Sequence, residues 1–128
     1  VNRVASHFPV QANRCVFMNQ VHSDLIVVKT NRKTSFPTCD GVLTGEKGVA
    51  LCIKTADCAP ILLFDPDHRI IGAVHAGWRG TALRILKKTI TKMEHFYKTD
   101  PARLLVCELS DGAFDGVSGP IRPDWNAA

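Results

Sequence analysis

Two short apolar runs on either side of one tight turn constrain the fold of this chain more than any other feature. The runs are 61–64 and 70–74, and the turn between them reads Asp65-Pro66-Asp67-His68. Apolar runs of this length around such a turn predict a β-hairpin. A Gly-containing segment and then helical spacing follow the hairpin, so strands and a helix share one fold.

The helical spacing begins after Thr81. Apolar residues recur there at i, i+4, i+8, i+11 and i+15, which places them on one face of a helix. Asp100-Pro101 ends the helix, because the residue before a proline avoids helical backbone angles. The residues of the predicted face are Ala82, Leu86, Ile90, Met93 and Tyr97.

Shorter apolar and β-branched runs predict the remaining strands. A tight turn, Gly45-Glu46-Lys47-Gly48, separates two of these runs. Neither a repeat nor a linker divides the sequence, which predicts one domain over 1–128 with its motifs in 17–109 and an irregular tail over 110–128. The runs are 15–18, 25–29, 42–43, 49–53 and 104–109.

The composition is that of an ordinary globular domain. Charged residues make up 22% of the 128 residues, and the net charge of +4 is spread along the chain, which permits an anionic small ligand but does not indicate nucleic acid binding.

The longest apolar run, Ala59 to Phe64, is far shorter than the roughly 20 residues of a membrane span. The first residues carry charge and proline where a secretory signal would be apolar, so we expect a cytoplasmic protein. Five cysteines without a CxxC pair indicate reduced thiols.

Cys58 and His75 stand at the two ends of the predicted hairpin. A turn centred between Pro66 and Asp67 would make them direct partners across it, with Cβ atoms roughly 4.5–5.5 Å apart. That separation suits a shared zinc ion or a shared proton. A bulge at Pro60 or a slip of one residue would separate them, leaving a buried small cysteine and an ordinary strand-end histidine. The hairpin pattern alone leaves both interpretations open.

The residues that follow His75 suggest an anion site. A strand, a glycine-containing turn and a helix N-terminus present backbone N–H groups and the positive end of the helix dipole. Arg79 adds a planar guanidinium that suits phosphate or carboxylate, Gly80 allows close approach, and Trp78 offers a flat ring for stacking. Asp57, beside Cys58, is a candidate general base. The alternatives are a solvated Arg79 and a packed Trp78.

Four motifs follow one another between Asn19 and Gly80. Together they resemble the YfiH/laccase-domain family, whose members are also described as polyphenol oxidases or purine nucleoside phosphorylases. The resemblance implies an α/β (α+β) YfiH-like fold, with mixed β-sheet layers flanked by helices. The motifs are Asn19-Gln20-Val21-His22-Ser23, Asp40-Gly41-Val42-Leu43-Thr44, Thr55-Ala56-Asp57-Cys58-Ala59-Pro60 and His75-Ala76-Gly77-Trp78-Arg79-Gly80.

The resemblance also implies a metal centre held by His22, Cys58 and His75. Three protein ligands leave a fourth position for water or substrate, as in catalytic zinc sites. Copper is less suitable, since a multicopper centre consumes many imidazoles and one Cys–His₂ set suits zinc. Gln20, in the first motif, joins the candidates for substrate contact.

The activity implied is phosphorolysis of adenosine, inosine or methylthioadenosine by a zinc-dependent purine nucleoside phosphorylase, with adenosine deamination as a further reaction. Cys58, His75, Asp57 and Arg79 are then the candidate catalytic residues. The partners are a purine nucleoside and phosphate, without nucleic acid or membrane, and a homo-oligomer is left open. The family's flanking motifs are faint here, with only Gly119-Pro120-Ile121 similar to the later one, so we expect a truncated or divergent member.

Two other functions compete with this one. A cysteine hydrolase would use Cys58 as nucleophile and His75 as base, without a metal. An inactive remnant of the family would act as a binding module. Metal content and the reactivity of Cys58 distinguish the phosphorylase from the cysteine hydrolase. The absence of base release from a folded, metal-loaded protein would indicate the binding module.

Overall fold

The computed structural model describes residues 14–32 and 35–109. The tail predicted over 110–128 therefore lies outside the described residues. The strands are β1 (Cys15–Phe17), β2 (Ile26–Lys29), β3 (Gly41–Thr44), β4 (Ala50–Cys52), β5 (Ala59–Asp65), β6 (Ile70–Ala76) and β7 (Leu105–Glu108). The helices are α1 (Trp78–Ala82) and α2 (Ile85–Tyr97), followed by a short 3₁₀ helix over Pro101–Arg103.

A five-stranded mixed sheet organises the described part of the chain, with strand order β2-β3-β6-β5-β7. β2 and β3 run parallel, and the β3–β6, β6–β5 and β5–β7 pairs are antiparallel. β6 lies in the middle of this order, so side chains at its carboxyl end are surrounded by other segments. The predicted class, mixed β-sheet layers flanked by helices, is confirmed.

The β5–β6 hairpin forms, but its register differs from the prediction. Asp65 pairs with Ile70 across a four-residue loop, and His75 is opposite Pro60 instead of Cys58. Pro60 lies within the regular ladder, and its carbonyl accepts the Leu109 N–H at 2.8 Å. The register is therefore displaced by two residues. Because side chains alternate with a period of two, this displacement leaves Cys58 on the face that His75 occupies.

The helix is interrupted where the sequence predicts one continuous face. Leu83 and Arg84 separate α1 from α2, and Arg84 has a left-handed backbone with φ of 59°. Most of the predicted face does pack inward, since Met93 is buried and Leu86, Ile90 and Tyr97 pack against the core. Ala82 is exposed instead, and Ile85 and Thr89 join the buried residues. Thr89 satisfies its hydroxyl by donating to the Ile85 carbonyl at 2.8 Å.

The two faces of the sheet pack against different layers. Leu43 and Val74 point to one face, where they meet Ile85 and Met93 of α2 in the larger core cluster. Their neighbours on the strands point to the opposite face. There Val42 and Ala73 pack against a second cluster that contains Val16, Met18, Cys39 and Val49. Alternation along β3 and β6 thus joins both layers to one sheet.

The second layer is a two-stranded parallel sheet of β1 and β4. The predicted turn at 45–48 does separate two strands, but those strands, β3 and β4, belong to different sheets. The pairing of β1 with β4 joins residues 35 positions apart, such as Cys15 and Ala50, which a local pattern cannot reveal. Within the described residues, no helix has the length and apolar character required to cross a membrane.

Candidate metal centre

The loop after β1 is held in place by one buried carboxylate. Asp40, which is fully buried, accepts the backbone N–H groups of Val21, His22 and Ser23 at 3.2, 3.1 and 2.8 Å. The Ser23 hydroxyl donates to it at 2.6 Å. His22 has a left-handed backbone with φ of 58°, which suits consecutive N–H groups converging on one anion.

The same carboxylate holds the ring of His75. The Nδ1 atom of His75 lies 2.7 Å from Asp40 Oδ2, and the ring is almost completely buried at the end of β6. Burial raises the pKa of Asp40, but hydrogen bonds from His75 and Ser23 outweigh it and hold that pKa below its ordinary value. The carboxylate is therefore ionised and can only accept, so Nδ1 donates, and in the neutral ring Nε2 then carries the lone pair.

His22, Cys58 and His75 form a cluster of metal-ligating side chains. One nitrogen or sulfur atom from each residue lies within 4.8 Å of the corresponding atoms of the other two. The two imidazole rings meet edge to face with centroids 5.2 Å apart. His22 is exposed, Cys58 half-buried and His75 buried, so the cluster opens to solvent on one side. An exposed side leaves room for a molecule from solution.

Gly77 provides the space that this cluster occupies. A Cβ atom at this position would lie 3.2 Å from Cys58 Sγ, 3.2 Å from His22 Cδ2 and 3.9 Å from His75 Cε1. The backbone angles of Gly77, φ of −77° and ψ of −179°, are available to any residue. The small volume of this glycine therefore matters more than its backbone freedom, since a methyl group would press on two of the three side chains.

A family model described as "multi-copper polyphenol oxidoreductase laccase" matches residues 1–108. That match covers more than half of the chain. The chain belongs to the YfiH/laccase-domain family.

Curated relatives of this family member are named purine nucleoside phosphorylases. The Rickettsia prowazekii protein is 37% identical over 93 residues, which are 73% of this chain and 38% of the relative. The Deinococcus radiodurans protein is 41% identical over 91 residues, 71% of this chain and 35% of the relative. The chain thus spans less than two-fifths of the length of these relatives.

Solved structures of the family share the fold. YlmD from Geobacillus stearothermophilus aligns with a TM-score of 0.79 and 32% identity, over 84% of this chain and 43% of that chain. The Bacillus licheniformis hypothetical protein YfiH aligns with a TM-score of 0.78 and 24% identity, over 95% of this chain and 54% of that chain. The second likeness shows the fold alone.

Trp78 and Arg79 follow Gly77 directly in the chain, and both are exposed. The Arg79 guanidinium lies over the Trp78 ring at 5.3 Å, and Trp78 is 75% exposed. The alternative of a packed Trp78 is therefore wrong. Helix α1, which starts here, has only five residues, so it aligns few peptide dipoles and contributes little of the helix-terminus field expected from the sequence.

The other predicted contact residues lie in different surroundings. Gln20 forms two hydrogen bonds with the backbone of Lys54, from Nε2 to the carbonyl at 2.7 Å and from the amide N–H to Oε1 at 2.9 Å. Gly80 is buried, and a Cβ there would lie 3.3 Å from the Ser23 carbonyl. Asp57 is exposed in a bend next to Cys58. Gln20 and Gly80 thus connect the segments that carry His22, Cys58 and His75.

Asp40 is the residue that sequence reasoning missed. An aspartate directly before the Gly41-Val42-Leu43-Thr44 run is typical of a turn residue. Its partners are 17 to 35 positions away in the sequence, in segments without a common period. The available signal was its place at the start of a motif, directly before a fully buried strand.

Proposed function

We propose that this chain forms the metal-binding part of a purine nucleoside phosphorylase, with zinc held by His22, Cys58 and His75. The observation that carries the proposal is the convergence of one sulfur and two nitrogen donors within 4.8 Å of one another. The names of the relatives, at 37% and 41% identity, supply the reaction class. Adenosine, inosine and methylthioadenosine are the substrates that we propose.

The donor set fits zinc. Thiolate and imidazole are its usual protein ligands, and His75 presents Nε2 because Nδ1 is hydrogen-bonded to Asp40. Among the described histidines, only His22 and His75 belong to the cluster, which is too few for a multicopper centre. Zinc bound by His22, Cys58 and His75 would supply a Lewis acid to a molecule entering from solution.

The surrounding side chains suit the two substrates of phosphorolysis. A phosphate oxygen forms the bond to C1′ of the ribose as the glycosidic C–N bond breaks, and the electron pair leaves with the purine, which takes up a proton. Arg79 offers a bidentate fork for phosphate, and Trp78 offers an exposed face on which a purine can stack. We assign the exchange of that proton to Asp57, which directly precedes Cys58 in the chain.

A second candidate function is supported by the Asp40–His75 contact. A carboxylate on Nδ1, an imidazole and a nearby thiol form the arrangement of a cysteine hydrolase, in which His75 would remove the proton of Cys58. Such an enzyme would need no metal. Its signature would be metal-free protein whose Cys58 is alkylated far faster than the other thiols.

Metal content and base release test the proposal together. We expect about one zinc per chain in the wild type, loss of zinc in Cys58→Ala, and retention in the control Cys107→Ala, which removes a half-buried thiol from β7. Release of purine from the three nucleosides is then measured with and without phosphate, beside the Deinococcus radiodurans relative. Phosphate-dependent release by metal-free Cys58→Ala would contradict the assignment, and metal-free wild type with a fast-reacting Cys58 would favour the hydrolase.

A further inference from the structure

Asp40 touches both halves of the histidine pair. Its side chain accepts five hydrogen bonds, four from the loop that carries His22 and one from the ring of His75. Its main-chain carbonyl also accepts the His75 N–H at 2.7 Å. The carboxylate and the carbonyl of one residue therefore fix the backbone of His22, the backbone of His75 and the ring of His75.

Cys58 is held by different contacts. Its carbonyl accepts a hydrogen bond from the Thr55 hydroxyl, within the bend that precedes β5. None of the hydrogen bonds described at the Asp40 carboxylate comes from Cys58 Sγ. The three side chains thus divide into two histidines fixed by one anion and one thiol that approaches from another segment.

We propose that Asp40 is the positioning residue of this site, and that its carboxylate sets the Nδ1–H tautomer of His75 and the place of His22 before any ligand binds. The proposal rests on the proposed function only in naming zinc as that ligand. A buried carboxylate that holds a ligand histidine typically contributes a factor of about 10–100 to metal affinity. Here one carboxylate acts on two histidines.

An amide at position 40 would break this arrangement while keeping its shape. Asn has one acceptor oxygen and an NH₂ group that only donates, so it can accept either from the donors now on Oδ1, which belong to Val21 and Ser23, or from those on Oδ2, which are the His22 N–H and His75 Nδ1, but not from both sets. Oδ1 has the larger set of three donors, so we expect the amide oxygen there and the NH₂ group toward the ring. An NH₂ group facing the ring would favour the Nε2–H tautomer, and that tautomer has no lone pair on the nitrogen that faces the cluster. Asp40→Asn therefore changes the ring's chemistry without removing a side chain.

The test compares the wild type, Asp40→Asn and Asp65→Asn. Asp65 is a matched control, since it is equally buried and also accepts a histidine Nδ1, at 2.8 Å from His68. Nitrogen NMR of the metal-free proteins gives the tautomer of His75, and titration with zinc alone gives the affinity. We expect Nδ1–H in the wild type and in Asp65→Asn, loss of that tautomer in Asp40→Asn, and zinc affinity reduced about 10–100-fold in Asp40→Asn only.

Each outcome decides the proposal. An Nε2–H tautomer in the metal-free wild type would overturn it, even if Asp40→Asn failed to fold. Equal losses of zinc affinity in the two variants would also overturn it, because they would show a general loss of stability. If the wild type binds no zinc, the proposed function is wrong, while the tautomer of His75 in wild type and Asp40→Asn still decides the positioning role.

Discussion

Two buried aspartates hold histidines at opposite ends of the same strand. Asp40 and Asp65 are 0% and 1% exposed, and each accepts a histidine Nδ1, from His75 at 2.7 Å and from His68 at 2.8 Å. Each also accepts a hydroxyl and backbone N–H groups, so their local chemistry is nearly the same. The two pairs differ in what the other side of each imidazole faces.

His75 is buried and faces His22 and Cys58, whereas the side chain of His68 is 42% exposed. Asp65 uses its remaining capacity on the turn and on the Thr99 hydroxyl at 2.6 Å, which attaches the segment after α2 to the hairpin. The same aspartate–histidine contact thus closes a turn at one end of β6 and orients a candidate metal ligand at the other. A buried carboxylate alone does not make a metal site. The residues that face the second nitrogen of the imidazole decide whether it can bind a metal.

Removing His75 or His68 should give the largest difference in zinc affinity between the two ends of β6. His75→Ala should weaken zinc binding by more than the roughly 100-fold that loss of an outer carboxylate produces, because it removes a donor atom itself. His68→Ala should leave zinc affinity unchanged. Titration of both metal-free variants with zinc checks this, and equal affinities for the two would remove the distinction between the two ends of β6.

Asp65 and its partners should contribute to the free energy of unfolding, and this contribution should depend on pH. Burial raises the pKa of Asp65, but hydrogen bonds from Thr99 and His68 outweigh it and leave the pKa below its ordinary value. A carboxyl group whose pKa is lowered in the folded state stabilises the protein above its unfolded pKa of about 3.9, and this contribution is lost as pH falls through the folded value.

Asp65→Asn should therefore lower the free energy of unfolding at pH 7 by about 1–3 kcal/mol, because buried donors lose their acceptor. Its stability should also fall less steeply than that of the wild type as the pH is lowered below 4. Urea unfolding across this range measures both quantities. Parallel loss of stability in the two proteins would show that Asp65 is not a source of the acid sensitivity.

The sequence was sufficient for the elements that local patterns specify. Apolar runs located β5 and β6, and motif resemblance named His22, Cys58 and His75, which the structure brings together. The hairpin register was wrong by two residues because Asp65-Pro66-Asp67-His68 suggested a turn centred too early. The period of two in a strand kept Cys58 on the side of His75 despite that error.

Three features had no signal in the local periodicity. The break between α1 and α2 falls at Arg84, where a residue other than glycine takes left-handed angles within a continuous apolar pattern. The pairing of β1 with β4 depends on packing against Val42 and Ala73. The role of Asp40 depends on donors from two separate segments, the loop 21–23 and the end of β6. Each of these features is decided by tertiary contacts, which periodicity does not record.

Substitution of a glycine near each end of β6 should give the smallest change in zinc affinity. It tests most directly whether the three candidate ligands converge beside Gly77. Gly77→Ala would place a methyl group 3.2 Å from Cys58 Sγ and His22 Cδ2, and both atoms would need to move by a few tenths of an ångström. We expect zinc affinity about tenfold weaker, near the lower limit seen when ligand orientation is disturbed.

Gly45→Ala is the matched control, because its methyl group would lie 2.9 Å from Ile70 Cδ1 at the opposite end of the strand. That atom belongs to the core cluster beside α2 and not to the group of His22, Cys58 and His75, so the substitution costs stability while zinc affinity should be unchanged. Isothermal titration of both variants measures the difference. If Gly77→Ala binds zinc as tightly as the wild type, the three side chains do not converge on the space that Gly77 leaves open, and the contrast between the two ends of β6 loses its geometric basis.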